Sequence, residues 1–179
     1  MSFKVTNHFK TVLITGVSGF LGSHLAESIL AESEQAESSS GNSIEGYKVI
    51  GIDNFSTGLA TNVSYLKQKF PKSFLFIEKD VIQPWGEVNS ILTETIKNEI
   101  SHVFHFASPA SPPHYQRLSL ETLWVNTLGL SHALQFADSV GARVVFSSTS
   151  EVYGDPHVSP QPENYWGNVN SFGPRACYD

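Results

Sequence analysis

The sequence predicts an α/β fold built on a doubly wound parallel sheet that is incomplete at its C-terminal end. Two observations lead to this fold class. Short runs of apolar, often β-branched residues alternate with segments of helical periodicity, which is the pattern of parallel βαβ units. The first apolar run also leads directly into a glycine-rich turn at Gly16–Gly22. Ligands of such sheets lie at the carboxyl ends of the strands, where this turn would be.

Five apolar runs predict five strands, each short enough to be a buried parallel strand. They are Thr11–Thr15, Tyr47–Ile52, Phe74–Ile77, His102–Phe106 and Arg143–Ser147. Apolar residues recur at spacings of three and four from Phe20 onward, over Val88–Ile100 and over Leu118–Val140, and these spacings predict helices. The segment Glu32–Gly46 is rich in Ser and Glu and nearly free of apolar residues. It predicts an exposed inserted loop at 32–46.

Composition and charge narrow the classes of function. The 179 residues suffice for one domain, which we assign to 1–179. The formal net charge is -6 and no run of Lys or Arg is present, so no basic surface for nucleic acid is expected. No apolar stretch reaches membrane-spanning length, and Met1–Lys10 lacks the apolar core of a signal peptide. Cys177 is the only cysteine, so no intrachain disulfide is possible, which is typical of a reducing compartment. Together these features lead us to expect a soluble cytoplasmic protein that binds neither nucleic acid nor membrane.

No metal site is expected either. His102 and His105 form an H-x-x-H pair, but side chains three residues apart on a strand face opposite sides of the sheet. We therefore interpret both histidines as structural.

The glycine-rich turn has the spacing G-x-x-G-x-x-G, with Gly16, Gly19 and Gly22 between a predicted strand and a predicted helix. Glycine permits a tight turn, close approach of the backbone to a pyrophosphate and close packing of helix on strand. The free N–H groups and the positive dipole end of the helix favour phosphate. Dinucleotide binding is the favoured interpretation, and a glycine-rich turn without a ligand is the alternative.

Asp53 ends the second predicted strand. A carboxylate there can accept hydrogen bonds from the ribose hydroxyls of adenosine and would repel a 2′-phosphate, which favours NAD over NADP. An Asp in an ordinary strand-ending turn is the alternative. The gap between the glycines and Asp53 exceeds the usual length of about 20 residues, and the insertion at 32–46 accounts for the excess.

Several longer motifs resemble those of UDP-glucuronate decarboxylases, which are extended short-chain dehydrogenases/reductases. The motifs are DNFSTG (Asp53–Gly58), ASPASPPHY (Ala107–Tyr115), STSEVYGDP (Ser148–Pro156), SPQPENYWGNVN (Ser159–Asn170) and GPRACYD (Gly173–Asp179). The resemblance implies a Rossmann-like fold and an NAD-dependent decarboxylation of UDP-glucuronate to UDP-xylose through a 4-keto intermediate. It also implies a UDP-sugar as substrate and a homodimeric full-length protein.

The same resemblance implies which residues hold NAD. They belong to the glycine turn, to the ends of the second, third and fourth predicted strands, and to the catalytic end of the chain. Residue by residue they are Gly16, Gly19, Phe20, Leu21, Gly22, Asp53, Asn54, Phe55, Ser56, Thr57, Gly58, Asp80, Val81, Phe106, Ala107, Ser108, Ser148 and Tyr178.

Tyr178 matches the tyrosine of the Tyr-x-x-x-Lys motif that this family uses in catalysis. A lysine four residues later lies on the same helix face and lowers the pKa of the phenol, so that the phenolate takes a proton from a sugar hydroxyl. That lysine belongs at position 182, beyond Asp179. We therefore expect residues 1–179 to be the front part of the enzyme, without its C-terminal substrate lobe, and to be inactive alone.

The remaining site residues are also carried over from the resemblance. Thr149 would hydrogen-bond the reacting hydroxyl or ketone, and Ser150 and Glu151 would lie beside the carboxylated carbon. The residues implied to contact the substrate are Pro109, Tyr115, Glu151, Asn170 and Arg175. Ser150 stands where sugar 4,6-dehydratases carry an acidic Asp, which argues against dehydration.

Two alternatives to the decarboxylase stay open. One is a truncated, catalytically inactive NAD-binding module, and the other is part of another nucleotide-sugar epimerase or dehydratase. The chain also departs from the family pattern, because Trp124 and Asp138 stand where basic residues are usual. Such a change removes charge-assisted contacts to an anionic substrate.

Overall fold

The computed structural model describes residues 10–39 and 46–179. Its strands are β1 Lys10–Thr15, β2 Tyr47–Asp53, β3 Phe74–Glu78, β4 Ile100–His105 and β5 Arg143–Phe146. Its α-helices are α1 Phe20–Ser39, α2 Ala60–Lys69, α3 Gly86–Ile91, α4 Glu94–Glu99, α5 Pro112–Arg117, α6 Ser119–Trp124 and α7 Leu130–Val140. A π-helix at Val125–Gly129 joins α6 to α7, and a 3-10 helix at Ser150–Tyr153 follows β5.

The strands form one parallel sheet in the order β3-β2-β1-β4-β5, which confirms the predicted doubly wound fold. Each predicted strand overlaps an observed one, and the boundaries differ by at most two residues. The strand order reverses at β1, because β2 and β3 lie on one side of it and β4 and β5 on the other. In such a sheet the ligand crevice opens at this reversal, at the carboxyl ends of the strands.

The core lies on both faces of β1. Successive side chains of a strand point to opposite faces, so Leu13 packs with Phe136 of α7 on one face. Ile14 packs with Leu30 of α1 and Leu66 of α2 on the other. All five are buried, and burial of each large aliphatic or aromatic side chain contributes roughly 1.5–3 kcal/mol. The two layers of helices hold the strand ends in fixed positions.

Helix α1 is longer than the sequence predicts. It continues to Ser39, so residues 32–39 are helical and the predicted loop over Glu32–Gly46 is wrong for this part. The segment has few apolar residues, but its Ala, Glu and Gln have high helix propensity. Ser33 is buried, and its Oγ accepts a hydrogen bond from the N–H of Tyr47 at 2.7 Å. Residues 40–45 of the predicted loop lie outside the described residues.

The other predicted helices are interrupted. The predicted helix Val88–Ile100 overlaps two helices, α3 and α4, which are separated at Leu92 and Thr93. The Thr93 hydroxyl caps α4 by accepting from the N–H of Ile96 at 3.3 Å. Leu118–Val140 contains α6, the π-helix and α7 rather than one regular helix. Helices α2 and α5 were not predicted. The sequence of α2 is mostly polar, so its apolar periodicity is weak.

The two histidines of β4 lie on opposite faces of the strand, as predicted. His105 is buried, whereas His102 is partly exposed and stacks on Phe104. Across the described residues, no group of three or more His, Cys, Asp or Glu side chains is arranged to hold a metal ion. The helices of residues 10–39 and 46–179 include none that is long and apolar enough to cross a membrane.

Candidate functional site

A cleft opens at the carboxyl ends of β1, β2 and β3, where the strand order reverses. We call it the first cleft. Its walls come from the glycine turn, from the segments that follow β2, β3 and β4, and from one face of α6 and the π-helix. The lining residues are Gly16, Gly19, Asp53, Asn54, Ser56, Thr57, Gly58, Lys79, Asp80, Val81, Ile82, Phe106, Ala107, Ser108, Pro109, Leu118, Glu121 and Val125.

A second cleft lies beside it, at the carboxyl ends of β4 and β5. It is lined by Leu21, His105, Phe106, Ala107, Ser108, Ala110, Leu123, Asn126, Phe146, Ser147, Ser148, Thr149, Val152, Ala176, Cys177, Tyr178 and Asp179. Phe106, Ala107 and Ser108 line both clefts. The two clefts therefore meet at the segment that follows β4.

The structure brings most of the predicted NAD-binding residues together. Those that line the first cleft are Gly16, Gly19, Asp53, Asn54, Ser56, Thr57, Gly58, Asp80, Val81, Phe106, Ala107 and Ser108. Leu21, Ser148 and Tyr178 line the second cleft. Phe20, Gly22 and Phe55 line neither cleft. Phe20 is 75% exposed at the start of α1, and Phe55 packs against Phe76 at a ring distance of 5.3 Å.

The glycine turn requires glycine at two positions. Gly16 has a φ of +73°, and a Cβ there would lie 2.8 Å from the carbonyl oxygen of Phe106. A Cβ on Gly22 would collide with the carbonyl oxygen of Gly16. The first hydrogen bond of α1 runs from the N–H of Ser23 to the carbonyl of Gly19 at 3.1 Å. The N–H groups of the first helical turn therefore precede the helical ladder, and N–H groups at such a position can bind a phosphate.

Asp53 holds the glycine turn through its carboxylate. Oδ2 accepts a hydrogen bond from the N–H of Ser18 at 2.9 Å, and Oδ1 accepts one from the N–H of Phe55 at 2.8 Å. Phe55 has a φ of +59°, a conformation that this second hydrogen bond helps to hold. Each carboxylate oxygen keeps a further acceptor site, so the arrangement leaves room for contacts to ribose hydroxyls.

The charges that line the first cleft are mostly negative. Asp53, Asp80 and Glu121 contribute carboxylates. Among the described lining residues the one cation is Lys79, and its ammonium lies 3.3 Å from the carboxylate of Glu87. An anionic diphosphate bound here would depend on backbone N–H groups of the glycine turn rather than on basic side chains.

The second cleft contains the predicted catalytic tyrosine and threonine. Tyr178 stacks on the buried ring of Tyr115, with the ring centroids 4.7 Å apart and the planes inclined by 11°. This stacking fixes the plane of the Tyr178 ring. Thr149 caps the 3-10 helix, because its Oγ1 accepts from the N–H of Glu151 at 3.2 Å. Tyr115, predicted to contact substrate, lies beneath Tyr178 and lines neither cleft.

Glu151 and Arg175 form an ion pair, with Arg175 Nη2 2.5 Å from Glu151 Oε2. The hydrogen bond to Glu151 raises the pKa of Arg175. Ser150 belongs to the same 3-10 helix as Glu151 and is exposed. Asn170 is also exposed, and its Oδ1 accepts from the N–H of Phe172 at 3.1 Å. Of the predicted substrate contacts, Pro109 lines the first cleft, whereas Glu151, Arg175 and Asn170 lie outside both clefts.

His105 is a buried polar residue where the clefts meet. Its Nδ1 lies 3.0 Å from the hydroxyl of Thr15 on the neighbouring strand. Burial lowers the pKa of His105 to about 4, and the backbone of Val125 partly offsets this effect. The imidazole is therefore neutral near pH 7.

Sequence reasoning missed one wall of the site. Leu118, Glu121 and Val125 line the first cleft, and Leu123 and Asn126 line the second. Positions 118, 121 and 125 are three and four residues apart. This spacing predicts a helix, but it does not indicate that these side chains line a cleft. Asn126 lies in the π-helix, and π-helical turns occur frequently at functional sites.

The two departures from the family pattern lie elsewhere. Trp124 is 43% exposed and lines neither cleft. Asp138 is exposed on α7 and also lines neither cleft. Within the described residues, neither position contributes to the wall of either cleft.

Residues 13–179 match the GDP-mannose 4,6 dehydratase family. Over 170 residues the chain is 42% identical to UDP-glucuronic acid decarboxylase 1 of Danio rerio. This match covers 95% of the chain and 34% of the relative, so the chain spans about a third of the length of that protein.

Two solved structures share the fold. UDP-N-acetylglucosamine 4-epimerase from Methanobrevibacter ruminantium M1, in complex with UDP-N-acetylmuramic acid, is 26% identical with a TM-score of 0.69, over 95% of this chain and 47% of that one. An NAD-dependent NDP-hexosamine 5,6-dehydratase of tunicamycin biosynthesis is 27% identical with a TM-score of 0.64, over 94% of this chain and 46% of that one. Both similarities agree with the doubly wound sheet.

Proposed function

Because the chain belongs to the GDP-mannose 4,6 dehydratase family, we propose that it forms the cofactor-binding part of an NAD-dependent enzyme acting on a nucleotide sugar. The proposed reaction is the decarboxylation of UDP-glucuronate to UDP-xylose through a 4-keto intermediate. The observation that carries the proposal is the meeting of the two clefts at Phe106–Ser108, with Thr149 and Tyr178 lining the second. The 42% identity to a UDP-glucuronic acid decarboxylase supports the choice of substrate.

The residues of the first cleft fit NAD. The backbone at Gly16 and Gly22 leaves no space for a Cβ, as expected of a turn on which a pyrophosphate lies. Asp53 is placed to accept from ribose hydroxyls, and Asp80 and Val81 line the part of the cleft where such folds hold adenine. When bound, the nicotinamide reversibly accepts hydride from a sugar carbon. A similar solved structure is of an NAD-dependent dehydratase, which supports this cofactor.

Tyr178 is the proposed base. Its phenolic oxygen takes the proton of the hydroxyl at carbon 4 as this carbon is oxidised. The Thr149 hydroxyl hydrogen-bonds the oxygen on carbon 4. An unperturbed phenol has a pKa of about 10, so a neighbouring cation is needed for Tyr178 to act near neutral pH. Stacking on Tyr115 limits movement of the whole Tyr178 ring about the Cα–Cβ bond. Such movement would carry the phenolic oxygen away from the sugar.

Decarboxylation follows from the ketone. Oxidation at carbon 4 places the carboxylate β to a carbonyl, so the electron pair left by departing carbon dioxide forms an enolate with the ketone. The Thr149 hydroxyl stabilises the developing charge on the ketone oxygen. The enolate then takes up a proton at carbon 5. Carbon 4 regains the hydride that it gave up, and Tyr178 returns the proton to the oxygen of carbon 4, so the whole sequence is redox-neutral. Glu151 is paired with the guanidinium of Arg175, so the position of its side chain at the edge of the site is fixed by this contact.

A second candidate reaction is 4-epimerisation, which also passes through a 4-ketone. It is supported by the fold similarity to a UDP-N-acetylglucosamine 4-epimerase. Dehydration is less well supported, because Ser150 offers a hydroxyl where a dehydratase needs an acid.

The products distinguish these reactions. The full-length protein is incubated with NAD and UDP-glucuronate, and both carbon dioxide and UDP-xylose are measured. Their equimolar release is the expected result. A UDP-hexuronate epimerised at carbon 4 with no carbon dioxide would indicate an epimerase, and a sugar that has lost water would indicate a dehydratase. NAD binding without any change in the sugar would favour an inactive binding module. The cytoplasmic location and the homodimer expected from the sequence stay predictions.

A further inference from the structure

His105 is buried, and its Nδ1 meets the hydroxyl of Thr15. It ends β4, where its register partner on β1 is Thr15. The side chain is 1% exposed and stacks on Phe146, with ring centroids 6.1 Å apart. It borders the second cleft, at the point where the two clefts meet. The mechanism proposed above gives this residue no role.

The hydroxyl of Thr15 determines which nitrogen of His105 carries the proton. Thr15 Oγ1 lies 3.2 Å from the N–H groups of both Phe106 and Ala107, and 3.0 Å from His105 Nδ1. A hydroxyl has two acceptor sites and one donor. The two N–H groups occupy the acceptor sites, so the hydroxyl hydrogen is donated to Nδ1. Nδ1 is therefore unprotonated, and the neutral ring carries its hydrogen on Nε2.

Nε2 faces the π-helix. This nitrogen has no hydrogen-bond partner among the described residues, and the backbone of Val125 only partly offsets the lowering of the ring's pKa by burial. The carbonyl of Val125 accepts from the N–H of Leu130, which is the i→i+5 pattern of the π-helix. Gly129 lies on the same side, because a Cβ there would be 3.7 Å from Cε1 of His105. The ring is thus packed between the strand ends and the π-helix that carries Asn126.

We propose that His105 is a positioning residue for the cofactor and substrate clefts, acting as a neutral imidazole with its hydrogen on Nε2. Through Thr15 it fixes the backbone of Phe106 and Ala107, which lines both clefts. Its ring also packs against Gly129 of the π-helix, and so limits the position of the segment that carries Asn126 in the second cleft. This inference rests on the proposed function for the identity of the ligands, but not for the hydrogen-bond pattern.

The hydrogen-bond pattern is tested without any ligand. The protein is labelled with ¹⁵N-histidine, and the His105 signals are assigned by comparison with the His105→Gln variant. We expect an unprotonated Nδ1 and a protonated Nε2 near pH 7. We also expect Thr15→Val to change the Nδ1 shift, because the hydroxyl is lost. A hydrogen on Nδ1, or a charged ring at neutral pH, would overturn the proposal.

The positioning role is tested by steady-state kinetics and by the binding of NAD alone. Thr15→Val preserves side-chain shape and removes the hydroxyl, so we expect kcat to fall about tenfold, with a smaller change in KM, because small misplacements of reacting groups are costly. Thr15→Ser should recover most of that loss. His105→Gln keeps a donor near Nε2 and should retain more activity than His105→Phe. The matched control is His102→Gln, on the opposite face of β4, which should leave kcat unchanged.

The outcomes separate this inference from the proposed function. If the wild-type protein binds no NAD, the proposed function fails, whereas the tautomer measurement still decides the hydrogen-bond pattern. If NAD binds and Thr15→Val folds with wild-type kcat and NAD affinity, then the Thr15–His105 pair is only structural and the positioning role is wrong.

Discussion

The guanidinium of Arg175 and the carboxylate of Glu151 are joined by a contact of 2.5 Å between Nη2 and Oε2. The two side chains are 43% and 34% exposed, and solvent screens pairs of this kind, so the pair contributes little to stability. Arg175 lies three residues before Tyr178, and Glu151 lies two residues after Thr149. The ion pair therefore connects the two segments that supply the proposed base and its hydroxyl partner.

Breaking this ion pair should lower activity more than stability. We expect Arg175→Gln to reduce kcat for decarboxylation about tenfold, because the segments bearing Tyr178 and Thr149 lose a shared anchor. NAD affinity should change little, since neither partner lines the first cleft. The control is Lys97→Gln, which breaks the surface pair with Glu94 at 2.8 Å. Equal effects of both variants on kcat would contradict the role of Arg175.

Tyr178→Phe should abolish the proposed reaction while leaving NAD bound. Loss of a general base lowers rates by roughly 10²–10⁴-fold, and the Phe ring can still stack on Tyr115. The chain contains a matched control, because Tyr65 and Lys69 on α2 also have the spacing Tyr-x-x-x-Lys. Tyr65 hydrogen-bonds Glu27 at the surface and lines neither cleft. Tyr65→Phe should therefore retain activity, and a comparable loss in both variants would contradict the assignment.

The pair Tyr65 and Lys69 also shows what sequence spacing can and cannot predict. The spacing correctly implies that both side chains share a helix face, and Lys69 Nζ lies 2.8 Å from the Tyr65 hydroxyl. It does not tell which side of the sheet that face covers. The position of Tyr178 in a cleft depends on packing against Tyr115, 63 positions earlier in the chain, and no local pattern encodes that contact.

The strands could be predicted because buried parallel strands are continuous apolar runs, as at Val12–Ile14. The length of α1 could not be predicted, because its last turns lack the amphipathic pattern that indicates a helix. Their helix propensity alone is too weak a signal. The register that pairs Thr15 with His105 arises from the sheet, so the link between these two residues appears only in the folded protein.

Asp53→Asn should weaken the binding of both dinucleotides and reduce the preference for NAD. An amide can accept from only one of the two N–H groups that Asp53 now binds, since its NH2 group would face the other. Loss of a hydrogen bond to a charged group costs about 1.5–3 kcal/mol, so the glycine turn should also be less stable. Titrations of NAD and NADP measure the ratio of affinities.

The control for Asp53 is Asp138→Asn, which changes an exposed carboxylate outside both clefts. We expect this variant to keep the wild-type ratio. Tighter binding of NADP than of NAD by the wild-type protein would contradict the role given to Asp53.

Burial of His105 should make the folded protein less stable as the pH falls from 6.5 towards 4. The pKa of His105 is lowered to about 4 in the folded state, chiefly by desolvation, from 6.5 for an exposed histidine. Between these values the unfolded chain binds a proton that the folded protein does not, so stability decreases with decreasing pH. The full difference corresponds to about 3 kcal/mol of the free energy of unfolding, as an upper bound. Denaturant unfolding at intervals from pH 7 to pH 4 measures it.

Two variants assign this pH dependence to His105. His105→Gln cannot titrate, so its stability should vary less with pH between 6.5 and 4.5 than that of the wild-type protein. Glu27→Gln is the control, because Glu27 affects stability in a lower pH range than His105 does. The hydrogen bond from Lys69 lowers the pKa of Glu27 below 4.5, so its contribution is present above that pH and is lost as the pH falls through the lowered value. The slope between pH 6.5 and 4.5 should therefore persist in Glu27→Gln. An equal slope in His105→Gln and the wild-type protein would mean that His105 becomes protonated in the folded state, and the buried neutral ring would be the wrong description.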